Sequence, residues 1–537
     1  MKGASVATLV LLTLVGGWLR FTAIDFGLPD KFRPDEEYLV SRAVGFRGSA
    51  NPHFAVYPAA QMYLQHGVLR AVAWVEGHEG DFREAFRKDG FARAHLVGRR
   101  VSAGFGTATI PAMYWAVLPY GAPAALASAA VTTFATIHVR ESKYSTTDAP
   151  AVFWLTLAIG MLLRIVFRGQ RTDSFLAGVF TGLAMGTKYP TGAILAGMAL
   201  AHIEARHREG RSFWRVFRDI RPYMTLITAL TVFVAVTPYL LLDWEQTLKD
   251  FAYQRGFLEK GVGNAYSGWG WSWLVLKAFP DGLGPVLAIV LASALLWNIA
   301  RPRRGLWSLL AFVTLACVGI ASSRYTFYRY ILVPLPALIL FLGTAVGDGW
   351  RILGRFAPRP WATAVATIAV AVILVPVTIR DYKLNRLLSR RDTRTMAREW
   401  IFENIPRGSA IAMTHDRTPY GKPQLRGAYR AKPFQSPARS RRQGVRWVLS
   451  DSTVLPFYSP GPTEAQLAAL EQDAALVFEV NPVKPDTPEP VFDQGDAFYV
   501  PLRRASSIKR PGPRIRIWEL PPPTGEPRAD PPPDVVS

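Results

Sequence analysis

Three consecutive acidic side chains are the first feature of the sequence that could do chemistry. Asp35, Glu36 and Glu37 follow Arg33-Pro34, just beyond the first apolar segment. Adjacent carboxylates beside a membrane face are unfavourable unless a cation compensates their charge or one of them serves as a proton acceptor. A solvated acidic loop is the alternative reading from composition alone.

A second carboxylate, Asp148, closes the polar stretch Arg140–Asp148, which precedes Ala149-Pro150 and an apolar run. Its position predicts a residue that caps the following helix, with Pro150 near the helix start. The stretch is also expected at the same outer membrane surface as Asp35. Asp148 is therefore a capping residue, a second acidic group of one site, or both.

Two sets of cations are candidates for binding a lipid phosphate. Lys188 ends a helix in which Gly178, Gly182 and Gly186 recur every four residues, a spacing that lets helices pack closely. A cation at the membrane edge needs a partner, and a phosphate is a natural one. Arg324 and Arg329 are interleaved with tyrosines, which indicates either an aromatic belt with snorkelling arginines or a bidentate phosphate clamp.

Metal-binding signals are weak in this sequence. His53 lies between Asn51-Pro52 and Tyr57-Pro58 and is a candidate metal ligand or substrate contact, although a lone histidine is more often neither. The single cysteine, Cys317, excludes disulfides within the chain and any cysteine-based metal site. No zinc-protease, nucleophile-elbow or dinucleotide-binding motif occurs, and 182–188 lacks the spacing of a phosphate-binding loop of the Walker type.

Apolar segments that would cross a membrane must position these residues. A span needs about 20 residues, and the sequence predicts about eleven. The first is interpreted as a retained helix, because no small-x-small cleavage site precedes Trp18-Leu19-Arg20. The predicted spans are Ala4–Ile24, Val101–Leu118, Ala122–Ile137, Ala149–Phe167, Phe175–Met185, Thr191–Ala201, Tyr223–Leu242, Leu283–Ala300, Leu306–Ala321, Tyr330–Val346 and Trp361–Ile379.

Composition and charge agree with a polytopic membrane protein. Of the 537 residues, 50% are hydrophobic and only 19% are charged, against about 25% in soluble proteins. The net charge of +22 indicates positive-inside loops and attraction to anionic lipid rather than nucleic acid. With the N-terminus inside, the loops 164–171, 202–221, 301–304 and 351–359 are cytoplasmic and all are rich in arginine. Everything after Ile379 is then predicted to be outside.

The distribution of apolar and polar segments divides the chain into three regions. Residues 1–379 form the transmembrane domain, with a long first outer loop over 25–100 that contains interfacial amphipathic stretches. Residues 380–519 predict a small α/β domain, and 520–537 form a Pro-rich tail expected to be disordered. The domain is predicted to hold a helix at Thr393–Asn404 and strands at Ala410–Met413, Val445–Leu449, Ala475–Val480 and Ile515–Trp518.

The order and placement of the motifs resemble polytopic GT-C glycosyltransferases that use polyprenyl-phosphate-linked sugars, in particular the protein O-mannosyltransferase and aminoarabinose-transferase group (families 39 and 83). The resemblance covers about Ala4 to Met413. The matching residues are Pro34-Asp35-Glu36, Asn51-Pro52-x-Phe54-x2-Tyr57-Pro58, Arg140–Pro150, Gly182-x3-Gly186-Thr187-Lys188-Tyr189-Pro190, Pro238-Tyr239, Arg329-Tyr330-x3-Pro334-x-Pro336 and Ala397-x2-Trp400-Ile401-x2-Asn404-Ile405-Pro406-x-Gly408.

The resemblance implies a site and a fold. Asp35 would be the catalytic carboxylate, with Glu36 beside it and Asp148 lining the same cavity. Lys188, Arg324 and Arg329 would bind the lipid phosphate. The matched motifs also give Tyr57, Arg140, Tyr189 and Tyr330 as substrate-binding residues. Some relatives hold a divalent metal, and the resemblance identifies no ligands for one in this sequence. The implied fold is an α-helical polytopic GT-C membrane protein with a small extracytoplasmic α/β domain at its C-terminus.

The implied function is transfer of a sugar from a polyprenyl-phosphate carrier to an acceptor outside the cytoplasm. The acceptor is a protein, a lipid or a glycan, and the expected location is the plasma membrane, the bacterial inner membrane. A transporter or flippase of lipid-linked sugars and an inactive scaffold are the alternatives. Ionisable residues cluster at one membrane face rather than at helix midpoints, which favours an enzyme over a transporter.

Overall fold

The computed structural model describes residues 2–46, 49–210, 213–260, 270–323, 327–415, 419–425, 427–453, 455, 458, 460–494 and 499–521. Arg324 and nearly all of the Pro-rich tail lie outside these residues. The chain divides into two compact units, one of residues 1–24, 35–261 and 265–382 and the other of 25–34, 262–264 and 383–537.

The first unit is helical. Its helices are α1 (Lys2–Phe21), α2 (Pro34–Gly45), α3 (Ala60–Val75), α4 (Glu84–Arg87), α5 (Ala92–Val117), α6 (Ala122–Phe134), α7 (Thr136–Glu141), α8 (Asp148–Phe167), α9 (Arg171–Thr187), α10 (Ile194–Arg208), α11 (Ile220–Val236), α12 (Tyr239–Leu242), α13 (Trp244–Lys260), α14 (Gly270–Trp273), α15 (Phe279–Leu283), α16 (Pro285–Ala300), α17 (Leu306–Ala321), α18 (Leu335–Phe356) and most of α19 (Arg359–Leu388). The last residues of α19, from 383 on, belong to the second unit.

A helix overlaps each of the eleven predicted spans, but not all have the length of a span. Among the described residues, five helices are long and apolar enough to cross a membrane: α1, α5, α8, α18 and the segment that begins with α19. α6, α11, α16 and α17 are apolar but shorter. The helical architecture is therefore observed, while the eleven membrane crossings are still a prediction.

Small residues bring α9 and α11 together. A Cβ on Gly178 would lie 2.6 Å from the Cβ of Thr228, and one on Gly182 would lie 2.5 Å from the Ala229 carbonyl oxygen. A Cβ on Gly186 would overlap Val236 Cγ2. The four-residue glycine spacing thus packs helices as the sequence indicated. α9 ends at Thr187, and Lys188 follows it directly. The packing of α9 against α11 therefore also positions Lys188.

The second unit contains α20 (Thr393–Asn404), α21 (Pro437–Arg442) and α22 (Glu464–Asp473). Its sheet consists of β1 (Ala410–Met413), β2 (Arg430–Pro433), β3 (Trp447–Ser452), β4 (Ala475–Val480) and β5 (Arg514–Glu519), in the order β2-β1-β3-β5-β4. β1 runs parallel to β2 and β3, whereas β5 is antiparallel to β3 and β4. The helix and four strands lie close to their predicted positions, and β2 was not predicted.

The apolar core of the second unit forms between α20 and the sheet. Ala397 and Ile401 of α20, one helical turn apart, are fully buried and pack against Ile411, Leu449 and Ile517. Residues 25–34, which the sequence assigned to the first outer loop, also belong to this unit. There Asp30 forms an ion pair with Arg398 and accepts a hydrogen bond of 2.9 Å from the Thr395 hydroxyl.

Candidate active site

Four separated segments of the first unit bring charged side chains to one place. Each of these side chains lies at the end of an α-helix or in a short 3-10 helix. The contributing residues are Asp35 in the first turn of α2, Asp148 at the first position of α8, Lys188 directly after α9, and Arg329 in the 3-10 helix Tyr328–Leu332.

Arg329 lies at the centre of this cluster. Its Nη2 is 2.8 Å from the Asp35 carboxylate and its Nε is 3.9 Å from Asp148 Oδ2. Burial opposes the charged form of the guanidinium, but Asp35 and the other nearby acidic groups raise the pKa of Arg329 well above its ordinary value. Arg329 therefore stays cationic while it is 6% exposed.

The second cation, Lys188, is paired with the second carboxylate. Lys188 Nζ contacts Asp148 Oδ1 in an ion pair, and the Thr146 hydroxyl donates to Asp148 Oδ2 at 3.2 Å. The N-cap residue of α8 is Thr147, and Asp148 is the first residue of the helix, one position after the cap. The Asp148 carboxylate contacts the two cations of the cluster.

Two tyrosines complete the surroundings of the charges. The Tyr57 hydroxyl donates to Asp35 Oδ1 at 3.1 Å. Burial and the adjacent Asp35 raise the pKa of Tyr57 well above its ordinary value, so the phenol remains a neutral donor. Lys188 Nζ lies 5.5 Å from the ring centroid of Tyr330, in cation–π range.

The two carboxylates differ in accessibility. The Asp35 side chain keeps 23% of its surface exposed, whereas the Asp148 side chain keeps 3%. A base must reach the group that it deprotonates, and Asp35 is the one that an incoming molecule can touch.

Glu36 points away from this cluster despite being next to Asp35. Its carboxylate is 2% exposed and forms two bonds with Arg99, Nε to Oε1 at 3.0 Å and Nη2 to Oε2 at 2.9 Å. It also accepts from the Ser145 backbone N–H at 2.7 Å. Burial disfavours the ionised form, but Arg99 lowers the pKa of Glu36 below its ordinary value. Glu36 therefore ties α2 to α5 and to the loop before Asp148.

The remaining sequence candidates are placed around the cluster or outside it. Tyr189 donates its hydroxyl to the Ala55 carbonyl at 2.9 Å and so supports the loop that carries Tyr57. Arg140 is buried, with its Nε 3.5 Å from Glu141. Arg324 lies outside the described residues. Within the described parts of the chain, no group of three or more His, Cys, Asp or Glu side chains could hold a metal ion.

Sequence reasoning missed Arg99 and Asp243. Arg99 follows its partner Glu36 by 63 residues, and no local pattern distinguishes it from the arginine beside it. Asp243 accepts from Asn51 Nδ2 at 2.7 Å and lies 3.0 Å from His53 Nδ1. The motif around Asn51 and His53 was recognised in the sequence. Nothing in that motif indicates that its partner is an acidic residue about 190 positions away.

Residues 57–248 match the family model described as dolichyl-phosphate-mannose-protein mannosyltransferase. The matched range contains Tyr57, Asp148 and Lys188 of the cluster. No curated protein matches the chain by sequence.

Solved structures share the fold across nearly the whole chain. ArnT from Cupriavidus metallidurans is similar in its apo state, with a TM-score of 0.52 and 13% identity over 96% of this chain and 98% of that one. The ArnT structure bound to undecaprenyl phosphate gives a TM-score of 0.51 at 13% identity, covering 96% and 97% of the two chains. The apo oligosaccharyltransferase of Archaeoglobus fulgidus gives 0.50 at 12% identity, covering 96% and 88%. The resemblance drawn from the motifs is thereby confirmed.

Proposed function

We propose that this chain is an integral-membrane glycosyltransferase that moves a sugar from a polyprenyl-phosphate carrier to a hydroxyl-bearing acceptor on the extracytoplasmic face. The observation that carries the proposal is the convergence of Asp35, Asp148, Lys188 and Arg329 from four segments. The family match and the GT-C fold support the same reaction class. They lend no support to the alternative of a transporter.

Asp35 would act as the general base. Its carboxylate takes the proton of the acceptor hydroxyl while that oxygen bonds to the anomeric carbon of the sugar. The bond from the anomeric carbon to the phosphate oxygen breaks, and the electron pair leaves with the polyprenyl phosphate. The sugar passes through an oxocarbenium-like state, as in other glycosyl transfers. Arg329 Nη2, 2.8 Å from the Asp35 carboxylate, would hold the base in position beside the donor phosphate.

Lys188 and Arg329 would bind the phosphate of the donor. A guanidinium has five N–H donors and an ammonium has three, more than their carboxylate contacts use here, so both can bind phosphate oxygens while they remain paired. Their positive charge would stabilise the negative charge that develops on the leaving phosphate. Asp148, almost fully buried, would position Lys188 rather than exchange protons.

The membrane setting fits a lipid-linked donor. Nucleotide sugars are not available outside the cytoplasm, so a carrier lipid is the expected donor for a site at the outer face of the plasma membrane. We propose the bacterial inner membrane as the location, with the second unit on the extracytoplasmic side.

Transfer can be tested with purified protein in detergent. The protein would be incubated with polyprenyl-phosphate sugars labelled in the sugar, and release of polyprenyl phosphate and labelled product would be followed. Arg329→Ala should weaken donor binding by about 10-fold or more, the effect of losing a hydrogen bond to a charged group. Arg93→Ala, which removes an exposed pair with Glu76, is the matched control. Unchanged donor binding in Arg329→Ala would remove Arg329 from the site, and failure of every donor to react would reject the function.

A further inference from the structure

One stretch of the second unit is rich in cations and contains no acidic residue. Between residues 417 and 450 the sequence has nine Lys and Arg residues and no Asp or Glu. The positive-inside rule counts short loops and segments close to the membrane spans, so it does not account for cations within a folded unit of this length. The topology of the chain therefore leaves this charge unexplained.

The structure collects part of this charge around β2 and α21. Arg430 and Lys432 alternate along β2, so they lie on the same face of the strand. Arg439 and Arg442 are three residues apart in α21 and are neighbours on the surface of that helix. Lys432 Nζ donates to the carbonyl oxygen of Gln443 at 3.2 Å, which brings this ammonium to the end of α21, next to Arg442 in the chain. We call these four cations the basic face.

No carboxylate neutralises the basic face within the described parts of the chain. The Arg430 guanidinium donates to the Gly408 carbonyl oxygen at 3.1 Å, and Lys432 likewise bonds to a backbone oxygen. Arg439 and Arg442 are exposed, and neither side chain forms an ion pair with a described residue. All four side chains therefore carry positive charge that an external anion can compensate.

The arginines next to the basic face are different, because each has an acidic neighbour. Arg441 Nη2 lies 3.9 Å from the Asp473 carboxylate, and Arg446 forms an ion pair with Glu519. Gathering like charges without such partners is unfavourable, because they repel one another. The uncompensated charge of this stretch is thus confined to one part of the surface.

Protection of a sheet edge explains only half of the basic face. β2 is an edge strand, and cations on an edge strand discourage pairing with the sheet of another molecule. This role suits Arg430 and Lys432. It does not apply to Arg439 and Arg442, which lie on a helix.

We propose that the basic face docks the second unit on the anionic lipid headgroups of the membrane. The chain itself keeps the unit near the bilayer, because α19 belongs to a segment long and apolar enough to cross a membrane and leads directly into this unit. Such tethering makes docking an intramolecular step, so a weak contact is sufficient. Each Lys or Arg close to an anionic surface favours docking about fivefold, which corresponds to about 1 kcal/mol. The proposal goes beyond sugar transfer and does not depend on it.

The contact would be electrostatic rather than an insertion into the bilayer. In the described part of the second unit, the exposed large apolar side chains are Leu476 and Val483. Neither belongs to β2 or α21, so the basic face has no apolar anchor of the kind that inserts between lipids. Docking should therefore depend on lipid charge and on salt.

The test uses the full-length protein in nanodiscs, with Cys317→Ala and a fluorophore attached to Gln435→Cys. Gln435 is exposed and lies between β2 and α21. A short-range quencher on the lipid headgroups would report contact with the bilayer. Quenching should be strong in discs that contain phosphatidylglycerol and weak in discs of phosphatidylcholine alone. It should also fall at about 1 M salt, where the Debye length is only about 3 Å.

Charge reversal tests the residues of the basic face. Arg439→Glu combined with Arg442→Glu should lower the ratio of docked to undocked protein in anionic discs by about 25-fold or more, because two attractive charges are replaced by repulsive ones. Lys484→Glu combined with Lys509→Glu is the matched control. Both lysines are exposed, lie in the second unit outside the basic face, and give the same change in net charge. The control should dock like wild type.

Three results would overturn the proposal. The first is quenching in wild type that is independent of lipid charge, a comparison that needs no variant to fold. The second is an equal loss of quenching in both double variants, which would assign the effect to net charge rather than to this face. The third is binding of dextran sulfate in neutral discs without any effect of lipid charge on quenching, which would make the partner an anionic glycan.

Discussion

Asp35 and Glu36 show how strongly environment separates neighbouring carboxylates. Asp35 is partly exposed, accepts a hydrogen bond from Tyr57 and contacts a buried guanidinium. Glu36 is buried and saturated by Arg99 and the Ser145 backbone. Of the two, only Asp35 combines an accessible carboxylate with a place beside the cations. The geometry therefore favours Asp35 as the base and gives Glu36 a positioning role.

Asp35→Asn should lower turnover by roughly 10²- to 10⁴-fold, the usual contribution of a general base, because it keeps the size of the side chain and removes the proton acceptor. Donor binding and thermal stability should stay near wild type. Initial rates with a verified acceptor would measure the loss. Glu37→Gln, two positions along, is the control and should keep most activity. Near-normal turnover of Asp35→Asn would move the search for the base to Asp148.

Glu36→Gln should instead lower stability, by about 3 kcal/mol, because breaking a buried ion pair leaves Arg99 uncompensated. Thermal unfolding in detergent would measure the change. The pKa of Glu36 is lower in the folded protein than its ordinary value of 4.5. Its contribution is therefore present above about pH 4.5 and is lost as the pH falls through the folded pKa.

The pH dependence distinguishes this role from a general packing effect. The difference in unfolding temperature between wild type and Glu36→Gln should shrink as the pH is lowered below 4.5. A difference that stays constant with pH would contradict the assignment of the effect to the ionised pair.

At the scale of helices, the position of Lys188 depends on how α9 packs. The glycines at 178, 182 and 186 face α11 without room for a Cβ. α9 then ends and the chain turns into the 3-10 helix Tyr189–Ala193. Close helix packing on one side and a sharp turn on the other leave Lys188 facing Asp148.

Gly182→Ala should destabilise the protein by about 1–3 kcal/mol, because the new methyl group would overlap the Ala229 carbonyl oxygen and force α9 away from α11. Donor affinity should fall with it, since Lys188 would move. Gly104→Ala on α5 is the control: no atom lies within 4 Å of its Cβ position, and replacing a helical glycine gains about 0.5–1 kcal/mol. Equal unfolding temperatures for the two variants would contradict the packing argument.

At the scale of the whole molecule, charge asymmetry is the argument for orientation. The arginine-rich loops are predicted inside, and the second unit outside, by the excess of Lys and Arg. Among the described residues, five helices are long and apolar enough to cross a membrane, and none of them shows which end faces outward. Orientation is therefore a prediction that labelling must test.

Cysteines at His207 and Gln435, both exposed, should be labelled differently by a membrane-impermeant thiol reagent. The native Cys317 is buried and would be replaced by Ala to remove background. In intact cells Gln435→Cys should be labelled and His207→Cys should not, while both should react after permeabilisation. The reverse pattern in intact cells would invert the orientation.

The sequence by itself determined the local elements and the chemical groups. Apolar runs, four-residue glycine spacing and alternation depend on neighbours in the chain, so the helices and four strands could be predicted from them. β2 could not, because Arg430–Pro433 is short, polar and proline-ended, and is recognisable as a strand only through its pairing with β1.

The tertiary structure alone decided which groups face one another. Asp35 and Glu36 look equivalent in the sequence, and their roles differ because one meets Arg329 and the other meets Arg99. His53 likewise contacts Asp243, which is 190 residues away in the sequence. Such contacts produce no periodic pattern in the sequence, because they arise from the packing of segments that are far apart in the chain.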